Sequence, residues 1–185
     1  MTQAQLLQQT LQTLADLGVR EVCVAAGARN APLVAALLNS RGVKIWNFFE
    51  ERSAAFFALG RIMADRQPVA VVTTSGTAAA ELLPATIEAH YQGLPLVLVT
   101  ADRPKSYRGS GAPQAIEQAG LFGCYAESLG DWDVSHQSHS SHQSHSNRPL
   151  HLNVCLDEPL ETNVPGIDFS ATGMPQTPEA GQPCS

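Results

Sequence analysis

VAVVTTSGTAAAELLPATIEAHYQGLPLVLVT, residues 69–100, carries two short apolar runs, 69–73 and 96–100, on either side of a helix-forming stretch at 78–90. Both runs are rich in Val and Leu, are bounded by turn residues, and are too short for helices, so each predicts a buried strand. A helix of ten or more residues between two such strands implies a right-handed crossover, which places them parallel in one sheet. Strands that are apolar at nearly every position are those covered on both faces.

The same rhythm extends outward. Leu6, Leu7, Leu11, Leu14 and Leu17 recur at helical spacing and Gly18 follows as a C-terminal cap, predicting a helix over 3–17. Residues 21–26 form a short apolar run that enters a turn at Gly27, and Pro32 suits the first turn of a helix reaching Leu38. A strand at 43–49 and a helix at 53–64 lead back to the opening stretch. Beyond it, a shorter helical piece at 114–121 and a strand at 125–129 are expected. The stretch 150–156 alternates less and reads as a last buried strand. The fold class is α/β, a mainly parallel sheet of about six strands with helices on both faces.

The 185 residues suit one domain, with 44% hydrophobic and 15% charged residues to build a core. Packed residues are expected over 1–160, and the Pro-, Gly- and Thr-rich stretch 161–185 reads as a linker toward further domains. A formal charge of -6 argues against nucleic acid or an anionic membrane as partner, since both need a basic field. No long apolar run and no basic, signal-like start are present, so a cytoplasmic protein is expected. Cys23, Cys124, Cys155 and Cys184 are scattered, which suggests neither a zinc site nor a disulfide framework. His136, His139, His142 and His145 lie among serines and glutamines without carboxylate or thiolate, a pattern that reads as a solvated loop rather than a metal site.

In a parallel sheet ligands gather beyond the carboxyl ends of the strands. Four such places carry chemistry-bearing residues: Gly27 to Pro32 with Arg29, Glu50 to Ser53 with Glu51, Thr74-Ser75-Gly76-Thr77, and Ala101-Asp102-Arg103-Pro104. Each has a plain structural reading. A Gly after a strand is commonly a turn, Thr-Ser-Gly-Thr can cap a helix, and Glu51 is at home in a helix first turn. Their joint placement at one sheet edge is what favours a site. The dinucleotide fingerprint and the phosphate-loop pattern are both absent.

A strand-end Glu that opens a helix, followed after the next strand by Ser-Gly-Thr, resembles the pyrimidine-binding domain of thiamine-diphosphate enzymes. Within that superfamily the chain is similar to the 2-succinyl-5-enolpyruvyl-6-hydroxy-3-cyclohexene-1-carboxylate synthases of menaquinone biosynthesis. The similarity rests on Gly27 to Leu33, Phe49 to Arg52, Val72 to Ala78, Leu98 to Pro104, Gly111 to Ile116 and Arg148 to Val154. Thr-Ala-Asp-Arg-Pro followed ten residues later by Gln-Ala-Ile is its most specific element. The family usually has Ser where this chain has Ala28, and Pro where it has Ala26.

The resemblance implies a transferase that decarboxylates 2-oxoglutarate and adds the remaining carbanion to isochorismate. Glu51 would be catalytic, sharing a proton with N1' of the aminopyrimidine, and would bind the cofactor together with Thr74, Ser75, Gly76 and Thr77. Arg29, Arg103 and Gln114 would bind isochorismate, because guanidinium groups hold carboxylates in a two-pronged geometry. The family also implies thiamine diphosphate held through Mg2+ or Mn2+ by a diphosphate-binding domain of another subunit, in a homodimer or homotetramer. Such a chain alone would hold half an active site. Two other readings stand beside this one: a stand-alone pyrimidine-domain subunit of a two-chain 2-oxo acid decarboxylase, and a non-catalytic α/β binding or oligomerisation module.

Overall fold

The computed structural model describes residues 1–135 and 147–171. Helix α1 (Gln3–Asp16) starts in a capping box: Thr2 Oγ1 accepts the Gln5 amide at 3.2 Å, and Gln5 Oε1 accepts the Thr2 amide at 2.8 Å. Then follow β1 (Glu21–Ala25), α2 (Ala31–Leu38), β2 (Lys44–Phe48), α3 (Glu51–Asp65), β3 (Val69–Thr73), α4 (Thr77–Ala80), α5 (Leu83–Gln92) and β4 (Leu96–Asp102). Strands β5 (Glu127–Trp132) and β6 (Leu150–Cys155) complete one sheet of order β2-β1-β3-β4-β6-β5, with every neighbouring pair parallel. The α/β class and the six strands agree with the sequence pattern.

Alternate residues of each strand feed opposite layers of core. Val22, Val24, Ala70, Val72, Val97 and Val99 face a cluster built with Leu6, Leu7, Leu11 and Leu14 of α1 and with Leu33 and Leu37 of α2. Cys23, Val69, Val71, Leu96 and Leu98 face Ala54, Ala55, Ala58 and Ile62 of α3, Ala85 and Ala89 of α5, and Phe122.

Three departures from the expected elements have local causes. The helix expected at 78–90 is two helices, because Pro84 has no amide proton and its ring crowds the carbonyl four residues back. The helix expected at 114–121 does not form: Gly111, Gln114, Gly120 and Gly123 take positive φ, and the segment is held by short-range turns instead. The stretch expected to be a linker from 161 first folds back. Asn39 Nδ2 donates to Val164 O at 2.9 Å, Arg41 N donates to Ile167 O at 2.9 Å, and Phe169 N donates to Arg41 O at 2.9 Å. Val164 and Phe169 are buried in the α1/α2 layer, so packing continues past residue 160. The histidine run at 136–145 and Cys184 lie outside the described residues.

Candidate active site

The turns after β2, β1, β3 and β4 stand side by side along the carboxyl edge of the sheet, in that order. The chain passes from β1 to β2 on one side and then crosses to β3 on the other, so the connections diverge between β1 and β3 and leave a crevice there. At that point the backbones approach closely. A Cβ on Gly27 would lie 2.7 Å from Thr74 Cβ, so only glycine fits. Buried Asn30 fixes this turn by accepting the Gly27 amide at 2.7 Å and donating to Ala25 O at 2.9 Å.

Two glutamates follow β2, and their environments separate their roles. Glu50 is the N-cap of α3: it accepts the Arg52 amide at 3.0 Å, the Ser53 amide at 2.7 Å and the Ser53 hydroxyl at 2.5 Å. These bonds, the Ser53 hydroxyl's foremost, hold the Glu50 carboxyl below the usual carboxylate range. Glu51 is the first helical residue and is half-buried. Its carboxylate has no hydrogen-bond or ion-pair partner among the described residues. Capping therefore leaves Glu51 as the carboxylate free to meet a ligand.

After β3, Thr74 and Ser75 are buried and Thr77 is exposed. Gly76 has φ +80, and a Cβ there would come within 2.9 Å of Gln114 Cβ. Gln114, itself left-handed, thus sits against the Ser75-Gly76 turn, with its Nε2 3.5 Å from Ser75 O. Arg103 joins the group from β4: its Nε donates to Pro113 O at 2.9 Å, and its guanidinium lies 5.6 Å from the Tyr107 ring centre. The expected residues of the β3 turn, Gln114 and Arg103 are therefore brought together. Arg29 is engaged elsewhere. Its buried guanidinium donates to Leu156 O at 3.0 Å and to Glu158 at 3.1 Å, beyond the end of β6.

The sequence reading passed over a buried polar network on the α5-side face of β4, β6 and β5. Gln118 and Asn153 are its hubs. Gln118 accepts the Gly76 amide at 2.8 Å and donates to Ala101 O at 3.1 Å and to Asn153 Oδ1 at 2.9 Å. Asn153 Nδ2 donates to Asp102 at 3.0 Å and to Asp131 at 2.8 Å, while Thr100 donates to Asn153 Oδ1 at 2.8 Å. Arg108 forks onto Asp131 at 2.7 and 2.8 Å and reaches Asp102 at 3.1 Å. Burial works to raise the Asp131 pKa, but hydrogen bonds from Arg108 and Asn153 outweigh it and hold the carboxyl low. Burial pushes the Cys155 thiol beside it up, so Cys155 stays protonated.

These residues suit the aminopyrimidine half of a thiamine cofactor. An unpartnered, half-buried carboxylate and a glycine-lined crevice sit on neighbouring strand ends. Among the described residues no cluster of three or more His, Cys, Asp or Glu could hold a metal ion, and no helix is long and apolar enough to cross a membrane.

Among curated proteins the chain is similar to the 2-succinyl-5-enolpyruvyl-6-hydroxy-3-cyclohexene-1-carboxylate synthase of Bdellovibrio bacteriovorus, with 56% identity over 160 residues, 86% of this chain and 30% of the relative. It is 52% identical over 155 residues to the synthase of that name from Akkermansia muciniphila, 77% of this chain and 27% of the relative. It is 43% identical over 169 residues to that of Geobacillus thermodenitrificans, 84% and 28%. The chain spans about 30% of the length of these relatives. Residues 4–121 match the family described as thiamine pyrophosphate enzyme, N-terminal TPP binding domain, and the chain belongs to that family.

Proposed function

We propose that this chain is the N-terminal, pyrimidine-binding part of a transferase that decarboxylates 2-oxoglutarate and joins the product to isochorismate in menaquinone biosynthesis. The observation that carries the reading is the division of labour between Glu50, spent on the helix cap, and Glu51, left without an internal partner. When bound, thiamine diphosphate supplies the nucleophilic carbon of the reaction. Glu51 holds a proton at N1' of the aminopyrimidine, and its half-buried position strengthens that interaction relative to open water. Thr74, Ser75, Gly76 and Thr77 line the cofactor from the next turn but one along the sheet edge. Arg103 and Gln114 bind the carboxylates of isochorismate. Arg29 joins them by exchanging Glu158, whose side chain is 70% exposed and loosely held, for a ligand carboxylate.

The diphosphate and its Mg2+ or Mn2+ ion belong, in this reading, to a diphosphate-binding domain of another subunit in a homodimer or homotetramer. Support comes from α3, which starts with Glu51 and exposes Phe56, Gly60 and Met63 at i, i+4 and i+7, with Phe49 fully exposed just before it. A cytoplasmic enzyme suits Cys23, Cys124 and Cys155, all free thiols. The test is Glu51→Gln in the complete protein, followed by carbon dioxide release from 2-oxoglutarate with isochorismate as acceptor. A fall in kcat of about 10²- to 10⁴-fold, with cofactor binding retained, is expected. Unchanged turnover would remove the proton-holding role and the reading with it.

A further inference from the structure

The buried network reaches both halves of the site through one side chain. Gln118 is 0% exposed and uses every polar atom it has for a different element. Its Oε1 takes the amide of Gly76, on the turn assigned to the cofactor. Its Nε2 donates to Ala101 O, next to the Asp102-Arg103 step assigned to the acceptor, and to Asn153 on β6. The amide cannot be flipped without setting its NH2 group against an N–H donor and its oxygen against two acceptors. Asn153 is pinned in the same way, since its Nδ2 meets the carboxylates of Asp102 and Asp131.

Further contacts tie the two sides together. Asp102 Oδ1 accepts the Arg103 amide at 2.8 Å, so the same carboxylate that holds Asn153 also orients the backbone at Arg103. Gln114 lies four residues before Gln118 on one irregular segment and packs directly over Gly76, so a shift of that segment moves Gln114 and the Gly76 turn at once. The side-chain amides of Gln118 and Asn153 are fully paired, and among the described residues the one orphan of the network is Arg108 Nε at its far end. Buried groups so paired are rigid, and sub-ångström shifts of positioned groups are costly to binding and rate.

We propose that Gln118 is a positioning residue that locks the Gly76 turn and the Arg103 strand end into one relation, so that cofactor and acceptor are bound by a single coupled unit. The proposal rests on the function assigned above. Gln118→Met keeps the length of the side chain and removes its hydrogen bonds. In the complete enzyme it is expected to raise both the Kd for thiamine diphosphate and the KM for isochorismate, each about five- to tenfold. Thr77→Val and Arg103→Lys serve as single-sided comparisons, the first moving only the cofactor constant and the second only the acceptor constant. A Gln118→Met enzyme that melts lower but keeps both constants, or moves one alone, overturns the proposal.

A second measurement needs no variant. In wild-type enzyme, thiamine diphosphate alone should slow amide hydrogen exchange across residues 111–122 as well as 74–80, and isochorismate should slow it across 74–80. Protection confined to each ligand's own turn overturns the coupling. Because the cofactor arm requires no turnover, an enzyme that binds thiamine diphosphate but ignores isochorismate sinks the functional reading while still deciding whether Gln118 couples the segments.

Discussion

Replacing His151 with Gln should flatten the acid sensitivity of the fold. His151 is buried against Phe122, with ring centres 4.6 Å apart, and its Nε2 lies 2.8 Å from Thr100 Oγ1. Thr100 gives its own proton to Asn153 Oδ1, so its oxygen accepts from His151, which assigns the neutral ring with hydrogen on Nε2. Burial lowers the His151 pKa from 6.5 to about 4. The unfolded chain therefore takes up a proton that the folded chain refuses. Stability from this group is complete above pH 6.5 and is lost as the pH falls toward 4. At pH 5 the loss amounts to about 2 kcal/mol. Urea unfolding of wild type and His151→Gln at pH 7 and pH 5 isolates it. Glu21 and Asp133, held low chiefly by hydrogen bonds from Arg61 and Ser135 respectively, also destabilise the fold in acid, but equally in both proteins. The wild type should lose about 2 kcal/mol more than the variant over that interval. Equal losses would show that His151 is not a buried neutral ring and would refute the argument.

Gly27→Ala drives a methyl group into Thr74 and should cost about 1–3 kcal/mol in urea unfolding, with weaker cofactor binding; an unchanged midpoint would mean the two turns are not in contact. Phe169→Ala should cost roughly 3–5 kcal/mol if the segment after β6 is part of the core, whereas a true linker would lose nothing. Phe56→Glu places a charge on the exposed apolar face of α3 and should shift the complete protein toward monomer in sedimentation velocity; an unaltered oligomer would rule that face out as the contact.

The sheet was legible because Val69 to Thr73 and Leu96 to Thr100 are apolar at nearly every position, which a two-sided parallel sheet demands. Glu51 is singled out in the sequence only through resemblance, since adjacent glutamates at a helix start look alike until the cap geometry assigns Glu50 to the backbone. The polar network left a trace that the correct reading of 150–156 as a buried strand did not use. Although the whole of 150–156 alternates less, apolar and polar residues do alternate from Leu150 to Val154, and His151 and Asn153 share the face that meets Gln118 and Phe122. A period of two normally signals a solvent-facing side, and here that side is buried under the irregular 103–126 segment. That segment was itself mistaken for helix at 114–121 because propensity says nothing of the left-handed turn that Gln114 makes against Gly76. Val164 and Phe169, two apolar anchors in a Pro- and Gly-rich stretch, carry no periodicity to betray their docking.

The docking of Phe169 beside Arg41 fixes which pole of the sheet this segment occupies. Arg41 precedes β2, at the amino pole of the sheet, whereas Glu51 and the β3 turn stand at the carboxyl pole. Polypeptide continuing from Phe169 begins its course about 17 Å of strand length below the crevice it would have to roof. Closing the pocket with a neighbouring molecule avoids that climb, so the anchoring of this segment bears on the proposal that the site is completed by another chain.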